Sequence, residues 1–119
     1  MAEKVYIVVP TGQEVEGVTL VKWAGLQNTD TGVPFVCPYQ NDRTVHVIGT
    51  FGTGGTMLIE GSLEVTPTGY ATLNDPQGNA LSFAAARIES VLENVTNIRP
   101  RVSAGDANTL LDVYLLLVK

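Results

Sequence analysis

The sequence predicts an all-β fold: a single-domain antiparallel β-sandwich of about eight strands, of jelly-roll or Greek-key type. Gly and Pro punctuate the chain every 8 to 15 residues, which is the turn spacing of sandwiches and barrels. Val, Thr, Ile and Tyr dominate between them, the residue types that suit a pleated, half-buried surface. Helical spacing of apolar residues is hard to find.

The strands that follow from this reading span residues 4–10, 17–24, 44–51, 56–65, 70–73, 88–93, 97–103 and 109–119. Residues 1–10 also form a candidate N-terminal contact strand or arm. Two polar, turn-rich stretches, 27–34 and 38–42, read as loops at the ends of the sandwich. Strands 44–51 and 56–65 are joined by Gly52-Thr53-Gly54-Gly55, a short Gly-rich link of the kind that closes a hairpin. Along 56–65, Met57, Ile59, Gly61, Leu63 and Val65 share one face, the core side. Leu58, Glu60, Ser62 and Glu64 share the other, which reads as mostly solvated. Asp75-Pro76-Gln77-Gly78-Asn79 has the composition of a tight surface turn. The segment 81–87, with three consecutive alanines, leaves one short helical turn open. Pro100 within 97–103 argues for an edge strand, because it cannot donate to a ladder.

The last strand differs from the others. Leu111, Val113, Leu115 and Leu117 occupy one face, yet Leu110, Tyr114, Leu116 and Val118 make the other apolar too, with Asp112 the one interruption. A strand apolar on both sides is either covered twice within its own fold or covered on its second face by another subunit. In a two-layer sandwich the second account gains weight, with a loop folding over the face as the rival.

Composition sets the function classes. The chain has 119 residues, 45% hydrophobic and 16% charged, with 7 basic against 12 acidic residues for a net charge of -5. That is the length of one domain, 1–119, able to bury its own core. The charged share falls below the roughly 25% of an average soluble domain, which favours a surface partly covered by partners. Net acidity argues against nucleic acid, whose nonspecific affinity comes from Lys and Arg. Cys37 is the lone cysteine, so no intrachain disulfide staples the fold. The first ten residues lack the basic and long apolar regions of a secretory signal, which points to synthesis in the cytoplasm. No run approaches the ~20 apolar residues of a membrane helix.

Catalytic patterns are weak throughout. The glycines of 49–56 could cradle an anion, but Gly-Lys-Ser/Thr is missing, so a phosphate loop is refused and the hairpin turn preferred. His46 is the only histidine, which rules out a multi-histidine metal site within one subunit. A Cys37–His46 nucleophile pair has nothing in the sequence to orient it. Glu60 and Glu64 would lie about 13 Å apart along a strand, too far for paired acid/base work. Asp30, Asp42, Asp75 and Asp106 fall in loops but form no calcium-loop pattern. The chain is therefore read as non-enzymatic, with no catalytic residue, cofactor or metal. Trp23 and Tyr70 could stack on a sugar, although core packing is the simpler account of both. Arg99 and Arg101 flank Pro100 on one face of one strand and need an acidic receiver. Cross-strand bridges to Glu89 or Glu93, and an inter-subunit contact, are both open.

Three stretches carry a family resemblance: 55–62 (Gly-Thr-Met-Leu-Ile-Glu-Gly-Ser), 73–83 (Leu-Asn-Asp-Pro-Gln-Gly-Asn-Ala-Leu-Ser-Phe) and 98–106 (Ile-Arg-Pro-Arg-Val-Ser-Ala-Gly-Asp). In motif order the last two thirds of the chain resembles the capsid decoration, or cement, proteins of tailed bacteriophages. The resemblance implies a β-rich homo-oligomer, dimer or trimer, that binds the outside of an assembled shell. Its partner would be the major capsid protein, its place the virion exterior after synthesis in the host cytoplasm, and its work the stabilisation of contacts between capsid subunits. Arg99, Arg101, Leu110, Tyr114, Leu116 and Val118 are the candidate subunit or capsid contacts; nucleic acid and membrane are not expected partners. The pattern is also similar to discoidin-like sandwiches, which implies a carbohydrate-binding or adhesion module of a phage particle as the alternative. Against it, Leu63-Glu64-Val65-Thr66-Pro67 stands where the Asp-Gly-Trp turn of those sandwiches would be.

Overall fold

The computed structural model describes residues 2–10, 17–37 and 40–119; Met1 of the N-terminal arm and Pro38 and Tyr39 of the second loop lie outside them. The strands are β1 (Glu3–Lys4), β2 (Tyr6–Val8), β3 (Val18–Leu26), β4 (Thr31–Gly32), β5 (Phe35–Val36), β6 (Asp42–Thr50), β7 (Thr56–Ser62), β8 (Ala71–Thr72), β9 (Ser82–Phe83), β10 (Arg87–Ser90), β11 (Asn97–Ala104) and β12 (Leu110–Val118). The all-β sandwich is thus observed, with twelve strands among the described residues instead of about eight because short pieces pair at its margins. One sheet runs β10-β6-β12-β3-β2. The other runs β1-β4-β11-β7-β8, with β5 also on β11 and β9 also on β7. The radius of gyration is 13.4 Å, against about 13.5 Å expected for one compact domain of this length.

Alternation puts one face of each long strand inside. Val21, Trp23, Val45, Val47, Leu111, Val113, Leu115 and Leu117 from the first sheet meet Met57, Ile59, Phe83, Ile98 and Val102 from the second, each no more than 1% exposed. Each such side chain contributes roughly 1.5–3 kcal/mol by leaving water, so this interior supplies the main driving force. Gly32 is needed between Trp23 and Pro100, since a Cβ there would lie 2.6 Å from both.

Several expectations are corrected. The Gly52–Gly55 link closes no hairpin: β6 pairs with β10 and β12, whereas β7 pairs with β11, β8 and β9. The chain crosses from one sheet to the other there, helped by positive φ at Gly52 and Gly54 and by Asp106, whose carboxylate accepts the Thr53 N–H at 2.8 Å. Strand β7 stops at Ser62, so Leu63 and Val65 are exposed. Beyond it the Glu64 carboxylate gathers the N–H groups of Thr68 and Gly69 into a turn. The stretch 27–34 is not all loop, because Thr31–Gly32 pairs with β11 and, in parallel, with β1. In 81–87, Ser82–Phe83 is a strand on β7 rather than a helical turn.

Pro100 does not mark an edge, since β11 has neighbours on both sides. Val102 donates its N–H to Asp30 on the β4 side. Two residues earlier, Pro100 turns its nitrogen the same way, into the gap between β4 and β5 where no ladder bond is required. A proline is tolerated in this interior strand because its neighbour is split.

The N-terminal segment changes sheets within a single residue, with β1 on β4 in one layer and β2 on β3 in the other. Tyr6 anchors the crossing edge-on to both Trp23 and Phe35, with ring centroids 5.9 and 5.0 Å away. Val5, Ile7 and Val8 remain more than half exposed. No helix among the described residues is long and apolar enough to cross a membrane.

Candidate contact surface

The outer face of the five-stranded sheet is built by register. One cross-strand row reads Ile88, His46, Tyr114, Lys22 and Ile7 across β10, β6, β12, β3 and β2. The next reads Ser90, Thr44, Leu116 and Leu20. Val18 and Val118 are paired one step further along β3 and β12. Leu20, His46, Ile48, Ile88, Tyr114 and Leu116 line an open groove of about 410 Å³. Ile7, Ile88 and Leu110 are each more than half exposed on the same side.

Tyr114 is the centre of this face. Its ring lies 6.1 Å from that of His46, and the Lys22 ammonium stands 5.0 Å from its centroid on the other side. Lys22 also reaches Asp112 at 3.6 Å, while Asp112 accepts the Gly25 N–H at 2.9 Å where β12 bulges against β3. Lys22 and Asp112 therefore neutralise each other, and Asp42, opposite Val118 at the margin of the face, adds a further negative charge. The predicted set Leu110, Tyr114, Leu116 and Val118 faces outward together, opposite buried Leu111, Val113, Leu115 and Leu117. Sequence reading did not assign Ile7, Leu20, Ile48 and Ile88 to the same surface. Their alternation along their own strands carried the signal, but which strands flank β12 was hidden.

Arg99 and Arg101 lie on the outer face of the other sheet. Their receiver is Glu60 across the β7–β11 ladder, not Glu89 or Glu93. Arg99 Nε donates to Oε1 at 3.1 Å and Arg101 Nε to Oε2 at 2.8 Å. Glu60, expected on a solvated face, is only 5% exposed beneath the two guanidinium groups. Glu89 instead pairs with Arg87 at 3.1 Å, and Glu93 accepts both the main-chain and side-chain N–H groups of Asn74.

The chemical candidates are scattered. Cys37 is fully buried between the sheets and His46 points off the outer face, so the two do not meet. Burial pushes the Cys37 thiol up, partly offset by the Arg43 charge. Asp30 accepts from Ala2 and Gln27 and lies 3.9 Å from Lys4. Asp75 and Asp106 each bind the N–H groups of their own turns, and Asp42 stands apart at the start of β6. Among the described residues no three His, Cys, Asp or Glu side chains cluster around a common point for a metal ion. Trp23 is buried with its indole N–H donated to Val33, and Arg99 covers the Tyr70 ring; together they offer no open stacking platform.

The residue sequence reading missed is Arg43. It is 3% exposed and donates to three main-chain carbonyls, those of Gln40, Glu93 and Cys37, at 2.8, 3.2 and 2.7 Å. No acidic partner announces such a role in a sequence.

Comparison of this chain with protein-family models, with curated proteins and with solved structures found no match.

Proposed function

We propose that the protein is a structural component that works by contact: it self-associates through the outer face of the five-stranded sheet and binds the exterior of an assembled phage shell, stabilising contacts between major capsid subunits. The observation that carries the first half is the continuous apolar face centred on Tyr114 and Leu116. Five strands at ~4.8 Å spacing and the length of β12 give the whole outer face roughly 500 Å² in projection, with the apolar side chains at its centre and Lys22, Asp112, Thr44 and Ser90 among them. Two such faces meeting would bury roughly 1,000 Å², the lower bound for a stable interface. The shell as partner is supported by the resemblance over 55–62, 73–83 and 98–106. Arg99 and Arg101 then lie on the opposite sheet, free to meet the shell while the apolar face is occupied. Many weak contacts repeated over a lattice would supply avidity that no single copy has.

The carbohydrate-binding alternative is less well supported, because Trp23 is buried and Tyr70 is covered by Arg99.

Light scattering on the eluting protein tests the first half, with a dimer or trimer expected. Co-sedimentation with undecorated phage shells tests the second, with saturable pelleting expected. A monomer that leaves shells unbound would overturn the proposal.

A further inference from the structure

Glu60 gives each oxygen to a different arginine, so one buried carboxylate holds two guanidinium groups and the trio keeps a net positive charge. The bonds are made through Nε in both cases. A guanidinium has five N–H donors, and four of them are on the terminal nitrogens. Among the described residues, no protein acceptor is hydrogen-bonded to the terminal nitrogens of Arg99 or Arg101. Both side chains retain access to solvent, 21% for Arg99 and 38% for Arg101.

Both groups are anchored at Nε, and Arg99 is held further. The Arg99 guanidinium carbon sits 3.6 Å from the centroid of the Tyr70 ring, a stacking that fixes the plane of the group while Glu60 fixes its edge. Alternation along β11 places the two arginines on one face, about 6.6 Å apart along the strand. Less side-chain freedom is then lost when an anion arrives. The nearby acids do not fill the position: Glu64 is committed to Thr68 and Gly69. Glu3, exposed on β1, lies beyond Thr31 in the row that includes Arg101, about two strand spacings away at ~4.8 Å each.

We propose that Arg99 and Arg101 form a preorganised receptor for a carboxylate, an Asp or Glu side chain presented by a protein partner to the outer face of the seven-stranded sheet. Planar forks of N–H donors match a carboxylate's two oxygens. The whole chain carries a net charge of -5 while the trio is positive, so an acidic side chain meets attraction at this patch and repulsion over the rest of the surface. A polyphosphate backbone draws its affinity from many basic contacts, and this patch offers two arginines. The inference rests on the proposed function only in taking this sheet as the side that meets a partner; carboxylate binding itself requires no shell.

The test is NMR of the arginine Nε–Hε signals in the wild-type protein, in Arg101→Gln and in Arg101→Lys, titrated at low salt with a hexaglutamate peptide and, separately, with inorganic phosphate. Hexaglutamate is expected to shift the Arg99 and Arg101 signals saturably and more tightly than phosphate. Arg101→Gln, which keeps the Arg99–Glu60 pair, should weaken binding about fivefold or more, and Arg101→Lys, which keeps charge but not the fork, should fall between. Absence of a saturable shift, equal affinity in all three proteins, or tighter binding of phosphate would each overturn the receptor. The shell reading fails separately: wild-type protein that binds hexaglutamate but never pellets with shells overturns that reading and leaves the receptor standing. Pelleting without hexaglutamate binding does the reverse.

Discussion

Leu115 and Leu116 are neighbours in β12 that live in different solvents: Leu115 is fully buried between the sheets, and Leu116 lines the open groove on the outer face. Truncation should therefore separate stability from association. Leu115→Ala is expected to cost about 3 kcal/mol through lost transfer energy and a cavity. Leu116→Lys should change monomer stability by less than about 1 kcal/mol while shifting the proposed oligomer to monomer, because it places an unpaired charge at the centre of the proposed contact. Urea unfolding and light scattering on both variants check this. Equal oligomer populations in wild type and Leu116→Lys would remove the face from the model.

Glu60→Gln should be more damaging than its place on a sheet surface suggests. The variant leaves Arg99 and Arg101 side by side with no counter-charge, and the amide can accept from only one of them through its single oxygen while its NH2 group faces the other donor. About 2 kcal/mol is expected, with solvent access at the arginines keeping the loss below that of a fully buried ion pair. Raising the salt concentration should recover part of it by screening the arginine repulsion, which denaturant midpoints at low and high salt would show.

Arg43→Met should orphan the carbonyls of Cys37, Gln40 and Glu93 together. The hydrophobic replacement fills much of the volume, yet the carbonyls cannot be removed with the guanidinium, so a loss of about 2 kcal/mol is expected. The same change removes the side chain that holds the Cys37 carbonyl, beside a thiol that is fully buried and whose pKa burial pushes up. Modification by a thiol reagent under native conditions should accelerate about tenfold, reporting local opening. An unchanged rate would place the gate elsewhere.

Acid should reveal Glu93. Burial pushes its carboxyl up, but donation from the Asn74 main chain and side chain, and from its own main-chain N–H, outweighs this and holds it below the usual value. A carboxyl lowered by folding contributes stability that is fully present above its unfolded pKa, about 4.3 for glutamate, and is lost as pH falls through the lower folded value. Glu64, lowered chiefly by the Gly69 N–H, and Asp106, lowered chiefly by the Thr53 N–H, act in the same direction. Glu93→Gln should therefore flatten the decline in urea midpoint below that pH while lowering stability near neutrality. A parallel acid limb in variant and wild type would show that Glu93 does not contribute.

The two faces of β12 were legible because strand alternation is strictly local: Leu111, Val113, Leu115 and Leu117 against Leu110, Tyr114, Leu116 and Val118. What those faces meet was not, since β3 and β6 lie far away in sequence and no residue type specifies their adjacency. The Gly52–Gly55 turn shows the same limit. Its glycines announce a reversal, but whether flanking strands pair or part is decided by which other strands claim their edges, here β12 for β6 and β11 for β7. Arg99 and Arg101 were visible as a pair on one face, whereas the acid that joins them is 39 and 41 positions away. Glu89 and Glu93 were nearer in the chain but committed to Arg87 and Asn74.

Strand β12 is inserted between β3 and β6, both made before residues 51–109 have been joined to the chain. During synthesis those two strands wait with facing edges unsatisfied, and the sheet can close only once Leu110–Val118 has emerged. A nascent chain halted shortly before this point would hold two apolar strands whose missing neighbour could be supplied by any passing edge. The element that gives the finished protein its outer apolar face is thus also the last stitch of its folding, and chaperone dependence in the cell should fall sharply at the chain length that releases it.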